Sequence, residues 1–302
     1  MAEDIFDVVL QSTGAFIADY REWQSSPPPA IDFFLGPDFW IGQLPHDVDA
    51  EAVFDACAPA GFNFRPARQY GCRYAFCRKV EPDQSNYYAW DHQIHISITL
   101  FVSRLIRPTT ISSHNSARLY FHDGNLKTIV PGPTQGHGAH TWIVATQWRD
   151  WLNEKEAEEL RNHLTIYIRD APDRVRRARK HIDHAFHTYY LDQRCASLVS
   201  SYESLLKVSK YKATAQFKLR VPRLAQMAGF TITPEEAEAF YDDRSAFVHG
   251  MQVSYTELSD DLIEQYNRFE TVLRRSLLRA STDRNFLELF VSDDNVLQAF
   301  GD

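Results

Sequence analysis

The stretch YDDRSAFVHG, residues 241–250, sets a fixed cation, Arg244, five positions ahead of a titratable imidazole, His249, and follows it with Gly250. Arg244 carries a planar fork of donors suited to phosphoryl oxygens. His249 is of the type that moves a proton at neutral pH. On a helix the two side chains lie about 140° apart around the axis, close enough to reach one small ligand from adjacent stripes. Ser245 falls in line with His249 one turn back. A helix C-terminus favours the imidazolium and a neighbouring guanidinium opposes it, so His249 is poised to titrate near neutrality, as a general base must. Plainer roles exist for the same residues. A histidine at a helix end can act as a cap, and Arg244 can pair with Asp242, Asp243 or Glu203.

These residues need a helix with defined ends. Thr233, Pro234 and Glu236 read as cap, first-turn proline and capping-box acid. Gly250 supplies the left-handed residue beyond the other end, so the helix should stop at His249 or one residue earlier. From about residue 150 onward the hydrophobic period is helical throughout. NEKEAEELRNHL begins at an Asn153 cap. PDRVRRARKHIDHAFHTYY follows, with Pro172 near its first turn and apolar positions at Val175, Ala178, Ile182, Ala185, Phe186 and Tyr189. Asp192 reads as the cap of QRCASLVSSYESLLK. TAQFKLRVPRLAQMAG runs to Gly229, with Pro222 expected to kink it or mark its start. SDDLIEQYNRFETVLRRSLLRAS carries one stripe of Leu262, Ile263, Tyr266, Phe269, Val272 and Leu273. Short connections between these segments predict a helical bundle.

The first half reads as sheet. HISITLFVSRLI, YAFCRKV and HTWIVATQW are strand candidates, and ARLYFHDGNLKTIVPG reads as a hairpin turning at Asp123-Gly124-Asn125. DVDAEAVFDACAPAG suggests a short helix stopped by Gly61, and SSPPPA, residues 25–30, a rigid surface linker. With 302 residues, the chain is expected to be an α+β protein of two domains: a β-rich one over 1–150, a sensor or scaffold, and a helical one over 151–302.

Composition narrows the class. Hydrophobic residues at 44% and charged ones at 24% describe a chain that buries real cores. No run reaches the length of a membrane span, and MAEDIFDVVLQ has no basic segment of a secretory signal, which predicts a cytoplasmic protein without membrane contact. Cys72 and Cys77 have no matching second pair. His92 with His95, and His137 with His140, fit no standard zinc spacing, so neither a metal nor another cofactor is expected. The net charge of −8 is uneven: between Arg161 and Arg223 there are 14 Lys and Arg against 5 Asp and Glu. The sharpest cluster holds Arg174, Arg176, Arg177, Arg179 and Lys180, with Lys218 and Arg220 further along. Such a zone can be a footprint for phosphate, or a helix face paired with acids elsewhere in the fold.

The ordered set SLVSSYESLL, FKLRVPRLAQMAG and YDDRSAFVHG resembles the helix order of HEPN domains, above all the Apea-like branch, over roughly residues 173–280. The features that carry it are Glu203 before Leu205 and Leu206, then Tyr241, Arg244, Ser245, His249 and Gly250. The resemblance implies a HEPN-type bundle that forms a homodimer and cleaves RNA, tRNA among the candidates, without a metal. It implies His249 as base on the ribose 2′-OH, Arg244 on the scissile phosphate and Ser245 orienting either of them. Glu203, Tyr241 and Asp243 would support the site. It also implies a setting in defence against phage or in a toxin-like stress response, with an antitoxin or a phage-derived activator as partner. Two departures stand out: Ser245 is smaller than the polar residue that often follows this arginine, and position 251 is Met where one group has Tyr. Related chains include non-catalytic RNA- or nucleotide-binding dimers and plain dimerisation modules, and both are alternatives here.

Overall fold

The strand β1 (Glu3–Ser12) sits inside the sheet because both of its faces find cover. Phe6, Val8 and Leu10 point one way, and Ile5, Asp7, Val9 and Gln11 the other, as the two-residue period of a strand requires. The computed structural model describes residues 3–12, 33–36, 38–57, 72–81, 90–108, 112–132, 152–167, 171–188, 190–248 and 260–301. With β2 (Phe33–Gly36), β3 (Phe39–Gly42), β4 (Cys72–Val80), β5 (Ser112–His122) and β6 (Asn125–Pro131) it forms an antiparallel sheet in the order β2-β3-β4-β1-β5-β6. The helix α1 (Ala50–Cys57) lays Val53 and Phe54 on the face formed by Phe6, Val8, Leu10, Ala75, Ala117 and Leu119. Asp7 is directly opposite Arg118 across the β1–β5 ladder, and the two form a bidentate pair at 2.6 and 2.9 Å. That bond holds the guanidinium of Arg118 above its ordinary pKa and lets two charges share the interior of the sheet.

The hairpin forms where its sequence predicts it, with a tighter turn than expected. Asn125 already pairs with His122, so Asp123 and Gly124 alone make the turn, both at positive φ (51° and 76°). This is the type I′ geometry that Asp-Gly favours. YAFCRKV lies in β4. HISITLFVSRLI is not a strand but most of α2 (Trp90–Ile106). Ile96, Thr99, Leu100, Ser103 and Ile106 are buried at helical spacing. An apolar run of that length exceeds a strand, and its β-branched content cannot outweigh the burial a helix achieves. The segment HTWIVATQW, the linker SSPPPA and Gly61 lie outside the described residues.

By contact, the described chain divides into two units: up to residue 100 with 112–132 and 152–158, and 101–108 with 159–301. The architecture is α+β, an antiparallel sheet with a mostly helical remainder. Helix α3 (Glu154–Tyr167) starts at a reciprocal capping box between Asn153 and Glu156. Next come α4 (Asp173–His187), α5 (Leu191–Leu206), α6 (Ala213–Met227), α7 (Pro234–Val248) and α8 (Asp260–Thr282). Beyond the expected set the chain adds α9 (Arg284–Glu288) and α10 (Asp293–Phe300), capped by Asp283 and Ser292. Asp192 does not cap α5: Tyr190 holds that position, and Asp192 lies in the first turn, where a carboxylate acts on the helix dipole. Pro222 neither starts nor interrupts α6, because Phe217, Arg220, Val221 and Leu224 bury both halves of the helix and outweigh one lost hydrogen bond. In α8, Tyr266, Phe269, Val272 and Leu273 are buried while Leu262 and Ile263 are half-buried; Tyr189 lies outside the described residues. Among the described residues no helix is long and apolar enough to cross a membrane.

Arg220 organises one end of this unit. It is 0% exposed, and its guanidinium donates to the carbonyls of Leu206 (2.8 Å), Lys207 (2.7 Å) and Gly301 (2.9 Å). Lys207 ends α5 in the left-handed region at φ 53°, a place where glycine is favoured. Val208 N–H closes that turn on Glu203 O. Replacing Arg220 by Met strands three inward carbonyls, so Arg220→Met should lose roughly 3 kcal/mol or more of stability. The exposed Lys180→Met should stay within about 0.5 kcal/mol of the parent. Urea unfolding of the full chain, followed by circular dichroism, compares the two; equal midpoints would remove Arg220 from its structural role.

Candidate functional site

The last turn of α5 and the last two turns of α7 meet at one place. Tyr241 O–H donates to Glu203 Oε1 at 3.0 Å, and the Tyr241 ring lies against Phe217 at 5.0 Å between centroids. Burial, followed by the nearby Glu203 charge, raises the phenol above its usual pKa, so Tyr241 serves as a donor and not as a base. One turn on, the Arg244 guanidinium stands over the Tyr241 ring, 5.9 Å from its centroid, a cation–π distance. Arg244 Nε is buried and has no hydrogen-bond partner among the described residues. The pairing of Arg244 with Asp242, Asp243 or Glu203 that its neighbours suggested is not formed. A buried guanidinium donor without an acceptor costs about as much as a lost charged hydrogen bond, unless a ligand oxygen fills the place.

The capping box at the start of α7 is as expected: Glu236 N–H donates to Thr233 Oγ1, and Thr233 N–H to Glu236 Oε2. Arg268 bonds the Glu236 carboxylate and holds its pKa down. The box and Arg268 fix the axial register that brings Tyr241 and Arg244 to Glu203. Ser245 lies on α7, while His249 and Gly250 are outside the described residues. Asp243 is on another face. Burial, and then the charge of Asp242, raise its pKa, and its charge adds to the burial that lifts the inert thiol of Cys195.

One group near Glu203 was not anticipated. His181, on α4, is half-buried, and its pKa is lowered first by burial, then by His184, Lys180 and Arg177, with Glu203 pulling the other way. A pKa lowered below the ordinary 6.5 favours the neutral imidazole at pH 7, and the Glu203 carboxylate that holds Tyr241 acts on it only through its charge. Its sequence signal was the pair His181 and His184, three apart on one helix face. His184 Nδ1 lies 2.9 Å from Ser197 Oγ.

The basic zone separates into three sets. Arg220 is buried on carbonyls, and Arg179 is buried with Nη2 donating to Ser281 Oγ at 2.8 Å, so neither offers its charge to a phosphate. Arg174 pairs with Asp293, Arg176 with Asp173 and Lys218 with Glu238, the internal pairing that was the plainer alternative for such a zone. Arg177 and Lys180 remain exposed on α4. Lys212, not among the expected contacts, is exposed at the start of α6. Cys57, Cys77 and Cys195 take part in no disulfide. Among the described residues no group of three or more His, Cys, Asp and Glu could hold a metal ion.

Comparison with family models, with curated proteins and with solved structures finds no match for this chain.

The raised pKa of Asp243 gives a signed test. Its charged form is penalised in the folded state, so the penalty is complete above the folded pKa and vanishes below the ordinary value of 3.8. Asp243→Asn should raise the melting temperature slightly at pH 7, and the gain should shrink as the pH falls toward 4. Calorimetry across that range measures it; a loss of stability at pH 7 would instead mean that the carboxylate is held by a favourable bond.

Proposed function

We propose that this protein is an endoribonuclease of HEPN type that cleaves RNA by transesterification at the ribose 2′-OH. The observation that carries the reading is Arg244. A cation is kept half-buried on the Tyr241 ring, and among the described residues its Nε donor is unfilled and no carboxylate pairs with it. Phosphate is the ligand whose charge and oxygen geometry answer that demand. Glu203, through the Tyr241 hydroxyl, fixes the ring on which the guanidinium rests.

In the proposed step the 2′-oxygen attacks phosphorus while His249 takes its proton. The bond from phosphorus to the 5′-oxygen breaks, and that oxygen receives a proton as it leaves. The products are a 2′,3′-cyclic phosphate and a 5′-OH. Arg244 neutralises charge on the phosphorane-like transition state, a contribution expected to be large in a site shielded from water. A site built from so few side chains calls for a second copy of the helical unit. We therefore include a homodimer in the proposal, with about twice the 34.9 kDa chain mass by light scattering. The cytoplasm, RNA that includes tRNA, an antitoxin or phage-derived activator, and a sensing role for the sheet unit complete the reading. The alternative is a non-catalytic RNA-binding dimer with the same arginine.

Single-turnover cleavage of one labelled RNA, with EDTA present, separates the two. Losing a general base costs roughly 10²–10⁴-fold in rate, whereas losing a helix-end cap costs on the order of 1 kcal/mol of stability. His249→Ala should therefore fold and bind RNA but cleave at least about 100-fold more slowly. Arg244→Ala should weaken binding and cleavage together, and Arg244→Lys should restore little, because a point charge lacks the fork. Equal rates for the parent and His249→Ala would reduce His249 to a cap and leave the binding reading.

A further inference from the structure

Tyr211 is 96% exposed. It stands in the single turn Lys210–Lys212 that links α5 to α6. No described residue hydrogen-bonds or stacks with it. Several other aromatic rings of the same unit are in contact: Tyr202 with Phe217, Phe217 with Tyr241, Phe240 with Phe269. A ring left almost wholly in water contributes nothing to that core, and it is the kind of amphipathic surface that ligands cover.

Its position gives it a neighbourhood. Ser201 Oγ donates to Ala178 O and His184 meets Ser197, so α4 and α5 run antiparallel, with the start of α4 beside the end of α5. Phe217 meets Tyr241 and Lys218 meets Glu238, so α6 and α7 also run antiparallel, and Arg244 lies toward the start of α6. One end of the bundle therefore gathers the start of α4, the turn carrying Tyr211, the start of α6 and the Arg244 turn of α7. From Tyr211 to the level of Phe217 the chain climbs only about 10 Å. Two acids at the α4 and α10 starts are engaged, Asp293 by Arg174 and Lys207 and Asp173 by Arg176, while Asp242 and Asp243 on the Arg244 turn pair with no described cation. Arg177, Lys180 and Lys212 are left facing solvent. An exposed ring next in the chain to an exposed lysine, at the end of the bundle that carries Arg244, matches the way single strands are held: stacking on the base and attraction to the backbone.

We propose that Tyr211 is a stacking platform for an unpaired base of single-stranded RNA, flanking the phosphate held at Arg244. The inference rests on the RNA reading of Arg244 and adds what that reading lacks, a preference for unpaired RNA. The 2′-OH attack needs a flexible backbone to bring its atoms in line, and a strand held by one stacked base keeps that freedom.

Fluorescence anisotropy with a short labelled RNA, single-stranded and then annealed to its complement, tests it on the full chain. Tyr211 is 96% exposed and makes no hydrogen bond or ring contact with a described residue, so Tyr211→Ala should melt with the parent. It should bind the single strand roughly 5- to 100-fold more weakly and leave duplex binding unchanged. Tyr211→Phe, which keeps the ring, should bind within a factor of about two of the parent. In cleavage assays Tyr211→Ala should raise KM and leave kcat in place. Unchanged single-strand affinity in Tyr211→Ala, or a Phe variant as weak as the Ala variant, overturns the platform even if the parent cleaves RNA normally. A parent that cleaves nothing, yet loses single-strand affinity on Tyr211→Ala, keeps the platform and removes the nuclease. A parent that binds no RNA removes both.

Discussion

The guanidinium of Arg220 holds the last turn of α5, and the candidate site hangs from that turn. Its three carbonyl partners are the closing residues of α5 and the residue after α10. Helix C-termini present four unsatisfied carbonyls and the negative end of the dipole. A fixed cation inserted there satisfies both at once. Glu203 lies in the same turn, its carbonyl in the closing bond and its carboxylate on Tyr241. Loosening Arg220 would therefore move the anchor of Tyr241, and with it the ring under Arg244.

The helical unit uses this device more than once. Among the described residues Arg104, Arg179, Arg194, Arg220 and Arg274 are buried there, against a single buried acid, Glu270. Arg194 and Arg274 share that acid, with Tyr266 O–H donating to it as well. Arg274 also donates to the carbonyls of Leu105 and Ile106 at the end of α2. Burial pulls the pKa of Arg104 and Arg274 down to about 10, still far above neutrality, so both stay charged. A lysine in such a place would release its proton, whereas arginine holds its charge and spreads it over several donors. The sheet unit solves its buried arginine in the other way, by a cross-strand carboxylate: Asp7 on Arg118.

This inward use of arginine changes how the basic zone reads. A local excess of positive charge does not become a surface field when the charges lie in the core or in internal pairs. Of the zone's described cations, Arg161, Arg176, Arg177, Lys180, Lys212 and Arg223 stay exposed, Arg176 in a pair with Asp173. Arg244 is neither in the core nor in a pair. It is half-covered and oriented by an aromatic ring, whereas the structural arginines around it are buried.

Several features could be read from sequence because their bonds are local. The capping boxes at Asn153 and Thr233 close over three residues, and the Asp-Gly turn over two, so residue type alone decides them. The helical stripes of α4 and α8 follow for the same reason, since a 3.6-residue period is written in the chain. Other features depended on partners the sequence does not bring together. HISITLFVSRLI became a helix because burial on nearly every side favours that form, and β-branched composition is a weaker preference. Arg220 looked like a phosphate contact from its place in a basic run. Its carbonyl partners are 13, 14 and 81 residues away, and no local pattern announces them. The sequence by itself determined which residue types could meet a phosphate and where the helices with local capping boxes, at Asn153 and Thr233, begin. Only the tertiary structure decided which of those cations face inward, because a guanidinium's role is set by the acceptors that surround it, and these come from distant parts of the chain.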